Sequence, residues 1–289
     1  MLKEIEIPKE IGTLLEQTHS RIIEIADEFL KGNIAYEPTM HFLKIQGKLI
    51  RPALVLTSAV ILDKDPSKYL DLAASIEFLH TASIVHDDII DKDEKRRGIK
   101  TVHTEYGIEN AVLAGDMLFA LAVNTASKYG KEVLDITSKA AVDMCTGEFL
   151  DANAQKFKHR LSIEEYLNIA KLKTSSLISS ATSVVAVYEG DSRKISLEKF
   201  GMNIGMSFQI RDDILNYLKR DKLKDSSSDV ENFRPNIISS YEGIVEDPVN
   251  AAIEKNNWYI ENAKMNLKEL GRQSSYLLPY IEFLKIEEE

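Results

Sequence analysis

The chain has 289 residues, 44% of them apolar, and a formal net charge of −10. That supports one large core or two small ones and argues against a nucleic-acid-binding surface, which shows a basic excess. An anionic substrate stays open, because bound cations invert the local field. Cys145 is the only cysteine, so no disulfide forms within the chain and a reducing, intracellular setting is expected. The first ten residues lack a signal peptide's apolar core, and no run reaches the ~18 apolar residues of a membrane span, so the expectation is a soluble, cytoplasmic protein.

In chain order, Leu15, Thr18, Ile22, Ile25 and Phe29 recur at steps of three and four and predict one buried face of an early helix. A second helix is expected over about Met40–Ile61, with Pro52 bending it or marking its restart. A third should run from Ser67 through Asp91, and others over Ala111–Tyr129, Val133–Phe157, Ile163–Val187, Leu197–Leu218 and Asn250–Leu270. No proline falls between Pro66 and Pro235, which suits stacked helices. The one strand-like run, Val184–Val187, is equally a buried helix turn. Arg220–Ser240 is polar and irregular, the pattern of a long loop of the kind that often serves as a functional lid. No linker or repeat divides the chain, so residues 1–289 are expected to form a single all-α domain.

Within the third helix lies His86-Asp87-Asp88-Ile89-Ile90-Asp91. Positions i and i+4 share a helix face, so Asp87 and Asp91 stand one turn apart with Asp88 beside them. Three carboxylates in one turn repel, and become favourable when a hard divalent cation such as Mg²⁺ bridges them to phosphate. An acidic patch at a helix end is the bland alternative. Apolar flanks, Ala82–Val85 and Ile89-Ile90, make a solvated patch less natural. The spacing recurs in Asp212-Asp213-Ile214-Leu215-Asn216, with asparagine in third place. Two such turns on separate apolar helices predict the facing walls of one metal site.

Cations accompany them. Lys48 and Arg51 sit in Gly47–Pro52, Arg96 and Arg97 follow the first cluster, and Lys173 lies in Lys171–Thr174. Any one alone reads as a solvated surface cation. As a set they match phosphate, which arginine grips as a fork and lysine as a mobile point charge. His80, two turns before Asp87, is either a structural histidine or a member of the same face.

The segments GKLIRP, EFLHTASIVHDDIIDKDEKRRG, TVH, LAGD, TGEFLD, KLKTS and GMSFQIRDDILN, from Gly47 to Asn216, closely resemble the trans-isoprenyl diphosphate synthases (polyprenyl synthetases). A weaker match continues to Arg234. The resemblance implies an all-α bundle of ten or more helices around a deep central cavity (the isoprenoid synthase fold), usually a homodimer. It implies that Asp87, Asp88 and Asp91 hold Mg²⁺ on an allylic diphosphate, and that Asp212, Asp213 and Asn216 hold a further ion from the opposite wall. About three ions per site are expected, with Mn²⁺ as a substitute. Arg96, Lys173, Lys224 and Arg234 would contact the allylic diphosphate, and Lys48, Arg51, His80 and Arg97 isopentenyl diphosphate. Thr174 and Gln209 would lie near the developing carbocation.

The implied reaction is ionisation, condensation and elimination, with isopentenyl diphosphate lengthening an all-trans chain and released diphosphate taking the proton. No side-chain nucleophile is required, and a dry interior protects the cation. Two positions depart from the family pattern. Asn216 replaces the third aspartate of the second cluster, and Arg234 stands where lysine is usual. In the family, an aromatic five positions before the first aspartate blocks chain growth. Here Ala82 and Ser83 are small and leave that floor open, unless they serve only close helix packing. Phe78 and Leu79, one turn deeper, or Met117, Leu118 or Phe119 would then close the cavity, for a product such as geranylgeranyl diphosphate (C20) or longer. A class I terpene cyclase would carry Ser or Thr at Asn216 and Glu at Arg220, and has no need of the isopentenyl cations. A non-catalytic regulatory subunit has only Asn216 in its favour.

Overall fold

The computed structural model describes residues 5–96, 98–222 and 235–286. Its helices are α1 (Lys9–Leu30), α2 (Tyr36–Leu43), α3 (Ile50–Ile61), α4 (Leu70–Ile90), α5 (Val102–Tyr106), α6 (Ile108–Ser127), α7 (Lys131–Lys156), α8 (Ile163–Ala170), α9 (Ser176–Tyr188), α10 (Lys194–Lys222), α11 (Ile237–Tyr241), α12 (Pro248–Leu267) and α13 (Leu278–Leu284). Among the described residues the only strands are β1 (Lys95–Arg96) and β2 (Ile99–Lys100), an antiparallel pair in which Arg96 faces Ile99. The fold is therefore all-α, as the periodicity predicts.

Several expected boundaries move. Phe29 is 52% exposed and Leu30, the last residue of α1, is buried in its place. The single helix expected over Met40–Ile61 is two, α2 and α3, separated by residues 44–49, and Pro52 falls inside the first turn of α3. Leu49 closes that connection at φ +48, a left-handed conformation costing about 1 kcal/mol or more for a side-chain-bearing residue. Val184–Val187 is helical, within α9. The loop expected over Arg220–Ser240 is helical at both described ends, since α10 runs to Lys222 and α11 starts at Ile237. Asn236 caps α11 by accepting from the Ser239 N–H while the Ser239 hydroxyl accepts from Asn236 N–H. That is a reciprocal cap that the polar composition conceals.

The chain divides into two compact units. One comprises residues 7–141 and 180–194. Its hub is α4, which packs on α1, α3, α5 and α6. Leu72, Ala73, Ile76 and Phe78 of α4 are completely buried, with Leu54 and Leu56 of α3 and Ile22 and Ile25 of α1. A helix so apolar around its circumference is held by burial on several sides, at roughly 2–3 kcal/mol for a side chain such as Phe78. The other unit comprises residues 1–6, 142–179 and 195–289. Its core joins Tyr166, Ile169 and Ala170 of α8, Met206, Ile210 and Ile214 of α10, Ile237 and Ile238 of α11, and Ala252 of α12. Asn256, fully buried on α12, accepts from the Ser207 hydroxyl at 2.6 Å and donates to the Leu284 carbonyl at 3.0 Å. It thus pins α10, α12 and the end of α13 to one another.

Candidate functional site

In the first unit, α4 carries His80, Asp87 and Asp88, and Asp91 is its C-cap. The helix stops because Lys92 turns left-handed at φ +58, while Asp93 N–H returns to the Asp88 carbonyl at 3.0 Å. Arg96, the second residue of β1, then lies against the helix end before the β1–β2 hairpin reverses. Arg96 Nε donates to Asp88 Oδ1 at 2.5 Å, and Nη2 to Asp93 at 3.4 Å. Asp88 is wholly buried, and its other oxygen, Oδ2, has no hydrogen-bond partner. Burial pushes the Asp88 carboxyl above the usual carboxylate range, against the opposing pull of Arg96.

A buried, orphaned carboxylate oxygen beside two further aspartates is a donor set that fits Mg²⁺. Among the described residues no three acidic, histidine or cysteine side chains converge as a ready-made cage.

Of the residues expected to bind isopentenyl diphosphate, two are in contact. Arg51, near the start of α3, lies 3.0 Å from His80 Nε2 through Nη1. Arginine can only donate, so Nε2 is the acceptor and carries no proton in this contact. Lys48 is exposed in the connection just before α3. Arg97, Lys224 and Arg234 lie outside the described residues.

Ala82, Phe78 and Leu79 are buried, and the Ser83 hydroxyl is turned onto the His80 carbonyl at 2.9 Å. One turn deeper than Ala82, Leu79 lines an apolar cavity of about 110 Å³ with Phe119, Ala122 and Val123 of α6 and Thr137, Ser138 and Ala141 of α7. Of the three α6 candidates, Phe119 is the one on its wall. The His86 ring, one residue before the first aspartate, lies directly over Gly115, where an added Cβ would have to push it aside, and its Nε2 meets the Val112 carbonyl at 3.1 Å.

In the second unit, the helix expected over Ile163–Val187 is interrupted by a π-turn, Lys171–Ser175. Such bulges re-aim side chains and recur at functional sites. This one carries both Lys173 and Thr174. Lys173 Nζ lies 2.5 Å from Glu148 and 2.7 Å from Asp151, both on α7. The Thr174 hydroxyl donates to Gln209 Oε1 at 2.8 Å. Two glycines make room for the turn. A Cβ on Gly147 would sit 2.5 Å from the Lys173 backbone nitrogen, and one on Gly205 would sit 2.6 Å from Ser175 Cα.

On α10, Asp212 and Asn216 are exposed and Asp213 is partly covered. Asn216 Nδ2 donates to Asp212 Oδ2 at 3.0 Å, and Gln209 Nε2 donates to Asp213 Oδ1 at 3.0 Å. Burial raises the Asp213 carboxyl to about 6, opposed by the nearby Tyr166 hydroxyl and by hydrogen bonds from the Ile237 N–H and Gln209. Sequence reasoning missed Glu148, Asp151 and Tyr166. The first two carried a signal, an acidic pair three residues apart on α7 within TGEFLD. Tyr166 looked like ordinary core.

Helix order, paired aspartate turns and their cations define a class of protein, and comparison with known proteins gives its family. The polyprenyl synthetase family pattern matches residues 33–264, and the chain belongs to that family. It is a trans-prenyltransferase. A geranylgeranyl pyrophosphate synthase of Geoglobus acetivorans is 34% identical over 95% of this chain and 98% of its own. A short chain isoprenyl diphosphate synthase of Methanocaldococcus jannaschii is 32% identical over 91% of this chain and 84% of its own. The solved geranylgeranyl pyrophosphate synthetase of Geoglobus acetivorans superposes with a TM-score of 0.81 at 29% identity, covering 96% of this chain and 99% of that one.

Proposed function

We propose that the chain extends allylic diphosphates with isopentenyl diphosphate to an all-trans product of C20 or longer. The observation that carries the magnesium-dependent reading is Asp88, buried with one oxygen free and the other on Arg96. The named products of the relatives and the apolar cavity lined by Leu79 and Phe119 support the length. The family match runs through both compact units, which supports reading residues 1–289 as one catalytic domain.

Asp87, Asp88 and Asp91 would hold magnesium on the allylic diphosphate, and Asp212, with Asp213 and Asn216 in the same turn, a further ion, for three per site. Mn²⁺ would substitute. Bound magnesium supplies the positive charge that stabilises a departing diphosphate. The chain's own residues do the rest. Arg96 and Lys173, with Lys224 and Arg234, bind the allylic diphosphate. Glu148 and Asp151 hold Lys173 at the π-turn until an anion competes for it. Lys48, Arg51 and Arg97 bind isopentenyl diphosphate, and the Arg51–His80 contact orients the guanidinium. Thr174 and Gln209 present oxygens to the developing cation.

A homodimer is supported by Ile108, Val112, Leu113 and Val123 of α6, each at least 41% exposed. That is an apolar face for a second copy. A cytoplasmic setting is supported by the lone cysteine and by the absence, among the described residues, of a helix long and apolar enough to cross a membrane. No nucleic-acid partner is proposed for so acidic a chain. One observation, the uncharged Asn216, favours a second reading, a regulatory subunit without activity of its own.

The test is the purified chain with Mg²⁺, labelled isopentenyl diphosphate and C5, C10 or C15 primers, with products sized. Incorporation into C20 or longer chains is expected. No turnover with any primer would favour the regulatory subunit, and cyclic hydrocarbon released without isopentenyl incorporation would favour a cyclase.

A further inference from the structure

We infer that Glu148 and Asp151 compete with the allylic diphosphate for Lys173, which loosens the hold on that group and limits how far a product grows before it leaves. This rests on reading the chain as a prenyltransferase with Lys173 on the allylic diphosphate.

Glu148 and Asp151 stand three residues apart on α7 and so share a face. Lys173 reaches them from the π-turn, its Nζ lying 2.5 Å from Glu148 and 2.7 Å from Asp151. Its main chain is pinned there, since a Cβ on Gly147 would come within 2.5 Å of the Lys173 nitrogen. What can move is the flexible four-carbon stem. Asp151 accepts a hydrogen bond from Nζ, while neither Glu148 oxygen has an aligned one. Glu148 therefore acts on the lysine by charge, without the directed bond that would fix its geometry. The two acid side chains are 14% and 15% exposed. Water reaches them only in part, so each is poorly compensated once the lysine leaves.

A diphosphate meets this cluster with two opposed results. Lys173 attracts it, and the two carboxylates repel it and resist giving up the lysine. The net affinity is the gain from the lysine–phosphate contact less the loss of both ion pairs. Arg96 supplies the contrast. It too rests on two carboxylates, Asp88 at 2.5 Å and Asp93 at 3.4 Å. Asp88 belongs to the first aspartate turn, where magnesium would offset its charge. Glu148 and Asp151 belong to neither aspartate turn, so their charge persists when substrate is bound. After each round the product carries an allylic diphosphate of its own, and it is either held at Lys173 for another round or released. A weakened hold favours release.

The experiment compares wild type with Glu148→Gln, Asp151→Asn, Lys173→Gln and the double variant Glu148→Gln/Lys173→Gln. Binding of inorganic diphosphate in the presence of Mg²⁺ is measured by calorimetry, alongside kcat, KM for the allylic primer and product length. Glu148→Gln and Asp151→Asn should each bind inorganic diphosphate about fivefold more tightly, the scale of one partly exposed ion pair. KM for the primer should fall with it, kcat should fall because release slows, and the products should shift toward longer chains. Lys173→Gln should weaken diphosphate binding, and in that background Glu148→Gln should give a much smaller gain, because the acid acts through the lysine. Unchanged or weaker diphosphate binding in Glu148→Gln and Asp151→Asn, with wild type active, would overturn the inference alone, since that is how residues that merely support Lys173 behave. An undiminished gain in the double variant would overturn the route through Lys173, and tighter binding without longer products would overturn the link to chain length. Asp151→Asn supplies the reading if Glu148→Gln fails to fold. A wild-type chain that neither binds diphosphate nor turns over would overturn the prenyltransferase reading and the inference with it.

Discussion

Gly205→Ala tests whether the π-turn is held by close packing. The added Cβ would lie 2.6 Å from Ser175 Cα and 2.9 Å from Ser175 Cβ and Oγ, whereas ordinary contact begins at 3.4 Å. The nearest atom belongs to the backbone, so α10 and the turn must separate by about 0.8 Å at that point. Alanine is the better helix former by about 1 kcal/mol, while overpacking of this kind costs about 1–3 kcal/mol. The net effect on stability is a loss of about 0–2 kcal/mol. Function should suffer more. Ser175 adjoins Thr174, whose bond to Gln209 is 2.8 Å long, and displacing it by most of an ångström breaks that bond. A misplacement near 1 Å costs about 100-fold in rate. The assay is isopentenyl diphosphate incorporation, with thermal unfolding on the same samples. Gly12→Ala is the control: it lies in α1 with nothing within 4 Å of the new Cβ, and it should gain about 0.5–1 kcal/mol with unchanged activity. If Gly205→Ala behaves like Gly12→Ala, with higher melting temperature and activity within twofold of wild type, the packing argument is wrong.

Arg96→Ala should destabilise the chain by about 2–3 kcal/mol, below the usual cost of breaking a buried pair because the Arg96 side chain is 32% exposed while that of Asp88 is 1% exposed. Chemical denaturation should show Arg96→Ala/Asp88→Asn recovering part of that loss. Ala82→Tyr should shorten the product by at least one C5 unit by placing an aromatic ring one turn above Leu79, and Phe119→Ala should lengthen it. Chromatography of the dephosphorylated products decides both, and unchanged lengths would put the floor elsewhere. The Asp213 carboxyl is raised from 3.8 to about 6 by burial, so the folded state holds its proton more tightly than the unfolded chain. The stability this contributes is full below about pH 4 and is lost as pH rises through about 6. In metal-free buffer, melting temperatures of wild type should therefore fall more steeply between pH 4 and 6.5 than those of Asp213→Asn; parallel curves would contradict it.

Local chemistry was enough to predict the helices, the two aspartate turns and the cation set. Apolar residues at helical steps announce a helix wherever it lies, and Asp87–Asp91 shares a face by helix geometry alone. Sequence could also show that Ala82 is small and that Asn216 carries no charge. It could not place the break between α2 and α3, because Leu49's left-handed turn has no glycine to betray it. Nor could it show the π-turn, which depends on room left by Gly147 and Gly205, far away in the chain. The roles of the two adjacent aspartates were equally hidden. Asp212 and Asp213 are identical in sequence terms, and neighbours on a helix point about 100° apart. Tertiary packing decides that one meets solvent and Asn216 while the other meets Gln209, Tyr166 and the first N–H of α11. The sequence determined which chemistry the chain carries. Packing around α10 decided which carboxylate faces solvent and which holds its neighbours in place, because burial and donor direction are properties of the surroundings and not of the residue.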